Sequence, residues 1–308
     1  MRKLAVLALI AGCYTGKAPP APVTAPVEAV SRHARTAADP LGFLPIDADL
    51  VMSLDTVSLR RTALWNRIEP TLMTKAGPTL EQFKAACGFD PVPQIEHVTV
   101  GLKHVSTVQR EGVIVVGGLA RSQLMGCMTR AIRQTPTLAR IERNVVLLTA
   151  APGEKPVAFA FADARTLVIL AGEKAATAQG LRDILDAGAP LRSSEMFMEM
   201  FGRLDVRRHA WFFVNESSKL FDSIGSLGVH PRAVFGGIDM PAGATAKLYV
   251  RMPNAGEAST LVTMLKSQLA AVQSLVEKFE VEAEDVDVVV DIVLTEDQMM
   301  LGASLLGP

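Results

Sequence analysis

What the chain lacks narrows the reading first. It has no excess of positive charge: 31 Lys and Arg stand against 32 Asp and Glu, a formal net charge of −1. Nucleic-acid binding wants a basic surface, and none is on offer. Beyond the N-terminus no apolar run approaches the roughly 20 residues that cross a bilayer as a helix. His-Glu-x-x-His, Gly-x-Ser-x-Gly, a phosphate-binding Gly-rich loop ending in Lys-Ser/Thr and an EF-hand loop are all missing. The three cysteines have no zinc-site spacing. No cofactor, metal or catalytic residue is therefore assigned from motif. Global disorder is excluded too, because 49% of the residues are hydrophobic and only 20% charged.

What is present begins with Met1–Cys13, MRKLAVLALIAGC. Arg2 and Lys3 make a cationic head, Leu4 to Ile10 an apolar run too short to span a bilayer, and Ala11-Gly12 a small pair before Cys13. The ending Leu9-Ile10-Ala11-Gly12-Cys13 resembles a bacterial lipobox, in which the cysteine is diacylated and becomes the first mature residue. Residues 1–12 are then a signal peptide, and losing its two cations takes the net charge from −1 to −3. Each buried CH₂ of an acyl chain contributes about 0.8 kcal/mol, so two or three chains on Cys13 hold a protein stably at a membrane. Tyr14, where an inner-membrane retention signal of enteric bacteria would have Asp, leans the address towards the outer membrane facing the periplasm. Residues 13–40 are rich in Pro and Ala and lack apolar periodicity, which predicts a disordered tether.

With Cys13 acylated, Cys87 and Cys127 remain as an even pair in an oxidising compartment. They are either a disulfide or two buried thiols. The folded part reads as two halves, 41–190 and 191–308. The first has strands at 50–55, 97–102, 112–119, 144–149, 156–162 and 166–170, and helices at 57–72, 79–86, 121–133 and 173–186. Pro70 is expected to end or kink the first of these helices, and Gly88 to close the second. In the second half, helices at 194–201, 217–227 and from Asn254 to about Phe279 alternate with strands at 209–215, 233–239, 245–252 and 286–294. Asn254 with Glu257, and Thr295 with Gln298, have capping-box spacing. The order β-α-β-β-α-β predicts an α+β fold of two related ferredoxin-like halves, each an antiparallel sheet with helices on one face. Val286, Val288, Val290 and Ile292 alternate with Asp285, Asp287 and Asp291, giving one buried and one wet face.

Candidate chemistry is sparse. Gly117-Gly118 between strand and helix faintly suggests a nucleotide turn, and a plain strand-end turn is the simpler reading. The acidic run Glu280, Glu282, Glu284, Asp285, Asp287 and Asp291 could hold Ca²⁺, but it lacks the wrapping turn residues and reads as a solvated face. His97, His104, His209 and His230 stand near no nucleophile in sequence. Asp47, Asp49 and Asp55 flank the first strand, and Asp55 or Thr56 is a helix N-cap. Arg60-Arg61 and Arg207-Arg208 read as exposed charge. The Met/Phe-rich stretch 194–201 reads as packing, with a ligand surface as the alternative.

The stretch LGFLPIDADLVMSLDTVSLRRTALWNRI, residues 41–68, resembles the opening of uncharacterised bacterial envelope lipoproteins, in which a Leu-Pro-x-Asp-Ala turn precedes a strand and a Leu-Arg…Leu-Trp helix. The resemblance implies location and fold type and carries no activity or site residues. The expected function is a non-enzymatic envelope lipoprotein, held to the membrane through Cys13 and binding an envelope protein or lipid partner. The alternatives are a periplasmic carrier of lipid or another hydrophobic ligand, and a hydrolase with a dispersed site.

Overall fold

A computed structural model of the chain describes residues 39–105, 111–134, 139–149, 156–172, 176–186, 191–216, 218, 221, 229–269 and 276–299. The signal, Cys13, the tether up to residue 38, and most of the helix expected at 217–227 lie outside the described residues. In chain order the elements are β1 (Leu50–Asp55), α1 (Thr56–Leu59), α2 (Ala63–Cys87), β2 (His97–Lys103), β3 (Glu111–Gly117), α3 (Arg121–Gln134), β4 (Ala139–Glu142), β5 (Val145–Leu148), β6 (Val157–Phe161), β7 (Thr166–Ala171) and α4 (Ala178–Asp186). There follow α5 (Glu195–Phe201), β8 (Ala210–Asn215), β9 (Ala233–Asp239), β10 (Gly243–Arg251), α6 (Ala255–Leu269), β11 (Lys278–Glu284) and β12 (Asp287–Thr295).

The twelve strands of the described residues form one sheet, ordered β11-β12-β10-β9-β8-β1-β2-β3-β7-β6-β5-β4, with every pair antiparallel. The mixed helix–sheet class and the antiparallel sheet are as expected. The ferredoxin-like order is not what the strands adopt. A split βαβ unit sets its first and third strands side by side and parallel, whereas β1 here pairs antiparallel with β2, its successor in the chain. Helices α1 and α2 hang in the β1–β2 connection. Element order alone does not fix which strands are neighbours, and that is where the expectation failed. The halves also share one sheet through the β1–β8 pair, with strand orders that correspond, β1-β2-β3-β7-β6 against β8-β9-β10-β12-β11.

The expectation of helices on one face is corrected as well, because both faces are covered. Alternate residues of each strand point to opposite faces, and the buried clusters follow that parity. On the first face Val51, Val115, Val168, Phe213 and Phe235 pack with Leu181 of α4, Phe197 and Met200 of α5 and the turn Pro40–Phe43. Phe197 and Met200 of the Met/Phe-rich stretch are thus core, with Phe197 meeting Phe213 edge-on at 5.1 Å between centroids, while Met196 stays exposed. On the second face Val116, Val146, Phe159 and Ile169 pack under α3, and Val281, Val288 and Val290 pack under α6.

Several local expectations differ. Pro70 does not end the first helix. From its Thr62 cap α2 runs through Pro70 and Pro78 to Cys87, and Gly88 closes it in the left-handed conformation. Each proline removes a backbone donor, yet both lie on the exposed side, and the Thr74 hydroxyl donates to the Pro70 carbonyl at 2.9 Å. The last helix of the sheet ends its described span at Leu269 and not near Phe279, and Lys278–Glu284 is an edge strand. β4 was not anticipated. It forms a hairpin with β5 over the two-residue turn Arg143-Asn144, whose φ values of 47° and 69° are those of a type I′ turn. Both caps are present, Glu257 N–H donating to Asn254 at 2.9 Å and Gln298 N–H to Thr295 at 3.2 Å, and Thr295 N–H completes the second box by donating to Gln298 at 2.8 Å. Cys87 and Cys127 are joined by a disulfide with Cα atoms 5.0 Å apart, tying the end of α2 to α3.

Candidate functional site

Two regions gather side chains that nothing in the packing fully buries. The first is the middle of the second face. Register aligns Val100, Met52, Phe212 and Leu248 in one row across β2, β1, β8, β9 and β10, with Gly236 completing it on β9. The adjoining row carries Val98, Leu54, Ala210 and Ile238. All these side chains are aliphatic or aromatic, and all are only half-buried. The floor they make lies between the cluster under α3 and the cluster under α6.

Helix α2 is tied to the sheet's surroundings at both ends. One end is fixed to α3 by the Cys87–Cys127 bond. Near the other, Arg67 Nε meets Glu296 just beyond β12 at 2.7 Å. At 1.5 Å per residue its 25 residues are on the order of 37 Å long. Six strand steps of about 4.8 Å separate β12 from β3, so a helix of that length reaches from one cluster to the other. Its own apolar side chains Leu64, Trp65, Ile68 and Met73 are half-buried. Helix and sheet centre thus each carry apolar side chains that are not fully buried.

The second region is a cleft of about 440 Å³ on the first face, at the end of β1 and the start of β2 and β8. Here the structure brings together residues that sequence spacing kept apart. His97, Asp55, His209 and Asp239 occupy one register row: Asp55 pairs with His97, and Asp55 N–H donates to the His209 carbonyl at 2.9 Å. His209 Nδ1 contacts the Asp239 carboxylate and also lies 3.1 Å from Met240 N–H. The His97 ring lies over Gly117, where a Cβ would stand 1.9 Å from its Cε1 atom. Gly117-Gly118 is the strand-end turn, not a phosphate cradle: Gly118 N–H donates to Arg165 O at 2.9 Å.

Each carboxylate at this cleft already has a partner. Asp55 caps α1, accepting from Val57 N–H at 2.9 Å and Ser58 N–H at 3.0 Å. Burial alone would raise the Asp55 carboxyl. The N–H groups of Ser58 and Val57, the Ser58 hydroxyl and the nearby His209 outweigh that and hold it below its ordinary range. Glu96 pairs with Arg165 at 2.7 Å. The hydroxyl nearest the row, Ser53, is 2.8 Å from that of Thr99. An ionised, capped Asp55 stabilises the corner where α1 leaves the sheet, and Asp55→Ala should lower folding stability by about 1 kcal/mol at pH 7. Its folded pKa is depressed, so the contribution is full above the unfolded value near 3.9 and is lost as pH falls through the lower folded value. Urea titrations of both forms at pH 7 and pH 3 check this, and the difference between them should shrink at the lower pH.

The remaining candidates are placed as follows. Asp47 pairs with Lys103 at 2.6 Å, and Val105 N–H donates to Asp49 at 3.3 Å. Arg60 is not idle surface charge, since its guanidinium donates to the carbonyls of Val92 and Ile95 at 3.1 and 2.9 Å. Of the acidic run, Glu280, Glu282 and Glu284 stand on the edge strand β11. Asp287 breaks the expected wet face, being 1% exposed and held by Arg203 and Arg251. No group of three or more His, Cys, Asp or Glu able to hold a metal occurs among the described residues.

No protein-family model matches the chain, and no curated protein does. Among solved structures it is similar to TP0453 in its crystal form III, with a TM-score of 0.53 over 85% of this chain and 96% of that one at 9% identity. At that identity the likeness is one of fold alone.

Proposed function

We propose that the chain is a membrane-anchored envelope lipoprotein with a non-enzymatic binding role, and that its ligand is an apolar chain taken up between α2 and the central floor of the sheet. The anchor reading rests on the Met1–Cys13 signal and places the protein at the outer membrane facing the periplasm. The binding reading rests on one observation: an apolar floor around Met52, Val100 and Phe212 that stays half-buried between two flanks that each hold a buried cluster. A slot with an apolar roof suits a hydrophobic ligand better than a flat protein contact does, which brings the carrier alternative to the front. The hydrolase alternative finds less support, because the carboxylates at the polar cleft are engaged as caps and ion pairs and Ser53 is engaged with Thr99. The corresponding strand orders support a further part of this reading, that the two halves are related units joined through β1 and β8, with the β4–β5 hairpin added to the first.

The test is binding of cis-parinaric acid, a fatty acid whose fluorescence rises in apolar surroundings. Saturable binding near one molecule per chain is expected. Phe212→Glu should weaken it at least tenfold, about 1.4 kcal/mol, while Ile46→Glu, at an exposed position, leaves it unchanged. Should Phe212→Glu fail to fold, Val100→Gln is the milder replacement. Absence of binding, or binding indifferent to the floor variants, would defeat the slot reading. A Cys13→Ser chain that still fractionates with membranes would defeat the anchor reading.

A further inference from the structure

A twelve-stranded open sheet has two edges, and they are built differently. An unpaired edge offers backbone donors and acceptors to another chain unless charge or shape guards it. At one end β11 reads Lys278-Phe-Glu-Val-Glu-Ala-Glu284. Were two copies of β11 to pair antiparallel about Val281, Glu280 of each would oppose Glu282 of the other, and like charges directly opposite are destabilising. Lys278 of each would meet Glu284 of the other, but with three carboxylates to one ammonium per strand two copies bring like net charge together.

At the other end β4 reads Ala139-Arg140-Ile141-Glu142, and among the described residues no strand covers its outer side. Glu142 and Val145 flank the two-residue turn and form its hydrogen-bonded pair. In an antiparallel ladder such pairs alternate, so Arg140 and Glu142 spend their backbone groups on β5 while those of Ala139 and Ile141 face outward. Ile141 also ends an apolar row, continuing Ile114, Ile169, Phe159 and Val146 across β3, β7, β6 and β5. Val146 is fully buried in that row and Ile141 is 40% exposed.

We propose that β4 pairs antiparallel with β4 of a second copy of this chain, about a twofold axis through Ile141. The sequence is self-complementary in that register. Arg140 of each copy opposes Glu142 of the other on one face, where the two already pair within a chain at 2.8 Å. The two Ile141 side chains meet on the opposite face, and their outward N–H and C=O groups exchange both hydrogen bonds. A twofold contact of this kind closes on itself and gives a dimer, not a fibre. A four-residue strand belongs among small interfaces, below about 1,200 Å², so the dimer is a weak, reversible one.

The test uses the intact chain in detergent. In the proposed register the two copies of position 141 form a hydrogen-bonded pair with Cα atoms about 5.5 Å apart, within reach of a disulfide. Ile141→Cys should therefore give a covalent dimer on mild oxidation, and Glu142→Cys, which opposes position 140, should give far less. In sedimentation velocity Arg140→Glu should weaken self-association at least tenfold, and the exchange Arg140→Glu with Glu142→Arg should restore it. Equal cross-linking at both positions, or an exchange variant no better than Arg140→Glu alone, would overturn the proposal.

Discussion

Asp287→Ala is expected to cost about 3–5 kcal/mol of folding stability, the range for removing one partner of a buried ion pair. The reason lies in what the substitution leaves behind. The Asp287 side chain is 1% exposed and Arg251 only 14%. Arg251 Nε and Nη2 donate to the two Asp287 oxygens at 2.7 and 3.0 Å, a bidentate geometry that fixes the end of the β10–β12 pair. Arg203 contacts the same carboxylate, donates to Glu284 at 2.5 Å, and places its guanidinium 4.6 Å from the centre of the Tyr249 ring. Hydrogen bonding to Asp287, set against burial, and then to Glu199, holds Arg251 charged well above its ordinary range. Without Asp287, Arg203 keeps only Glu284 and the nearly buried Arg251 keeps only Glu199, and both surviving carboxylates are solvent-exposed.

The same logic fixes a control. Adding Arg251→Met to Asp287→Ala removes one orphaned charge and should return part of the loss, a coupling that a double-mutant cycle reads directly. Urea unfolding of the three variants supplies it. A loss under 1 kcal/mol for Asp287→Ala would mean that the pair behaves like an exposed one.

This cluster also shows where sequence reading stops. Alternation puts Asp287 on a wet strand face with Asp285 and Asp291, because it says which residues share a face and not what covers it. Arg203, 84 residues away, arrives from the turn after α5. Contacts set by local spacing are legible: the Asp55 cap, the Asn254 and Thr295 caps and the Gly88 stop all depend on residues a few positions apart. In β11 Phe279, Val281 and Ala283 alternate with Lys278, Glu280, Glu282 and Glu284, but the three-and-four spacing upstream continues to Phe279 and masks the start of the strand. The floor and the polar row of His97, Asp55, His209 and Asp239 depend on strand order across the β1–β8 junction, which no local pattern encodes.

Removing the Cys87–Cys127 disulfide, by reduction or as Cys87→Ala with Cys127→Ala, is expected to cost about 4 kcal/mol. A cross-link over 40 residues restricts the unfolded chain by that much on the loop-entropy account. The effect should not be spread evenly. Among its neighbours α2 packs chiefly on α3, and of its described side chains only Phe83 and Cys87, both in its last turns, are buried apolar groups. Its other end is held by the Arg67–Glu296 pair, half of which is exposed, and such pairs contribute about 0–1 kcal/mol. Reduction should therefore speed hydrogen exchange in α2 before it does so in β1, β2 or β8. On the proposed reading, with α2 as the roof of the binding slot, parinaric acid affinity should fall along with that protection while the sheet stays folded. Unchanged stability and exchange on reduction would mean that packing of Phe83 against the α3 cluster, and not the covalent tie, holds the roof in place.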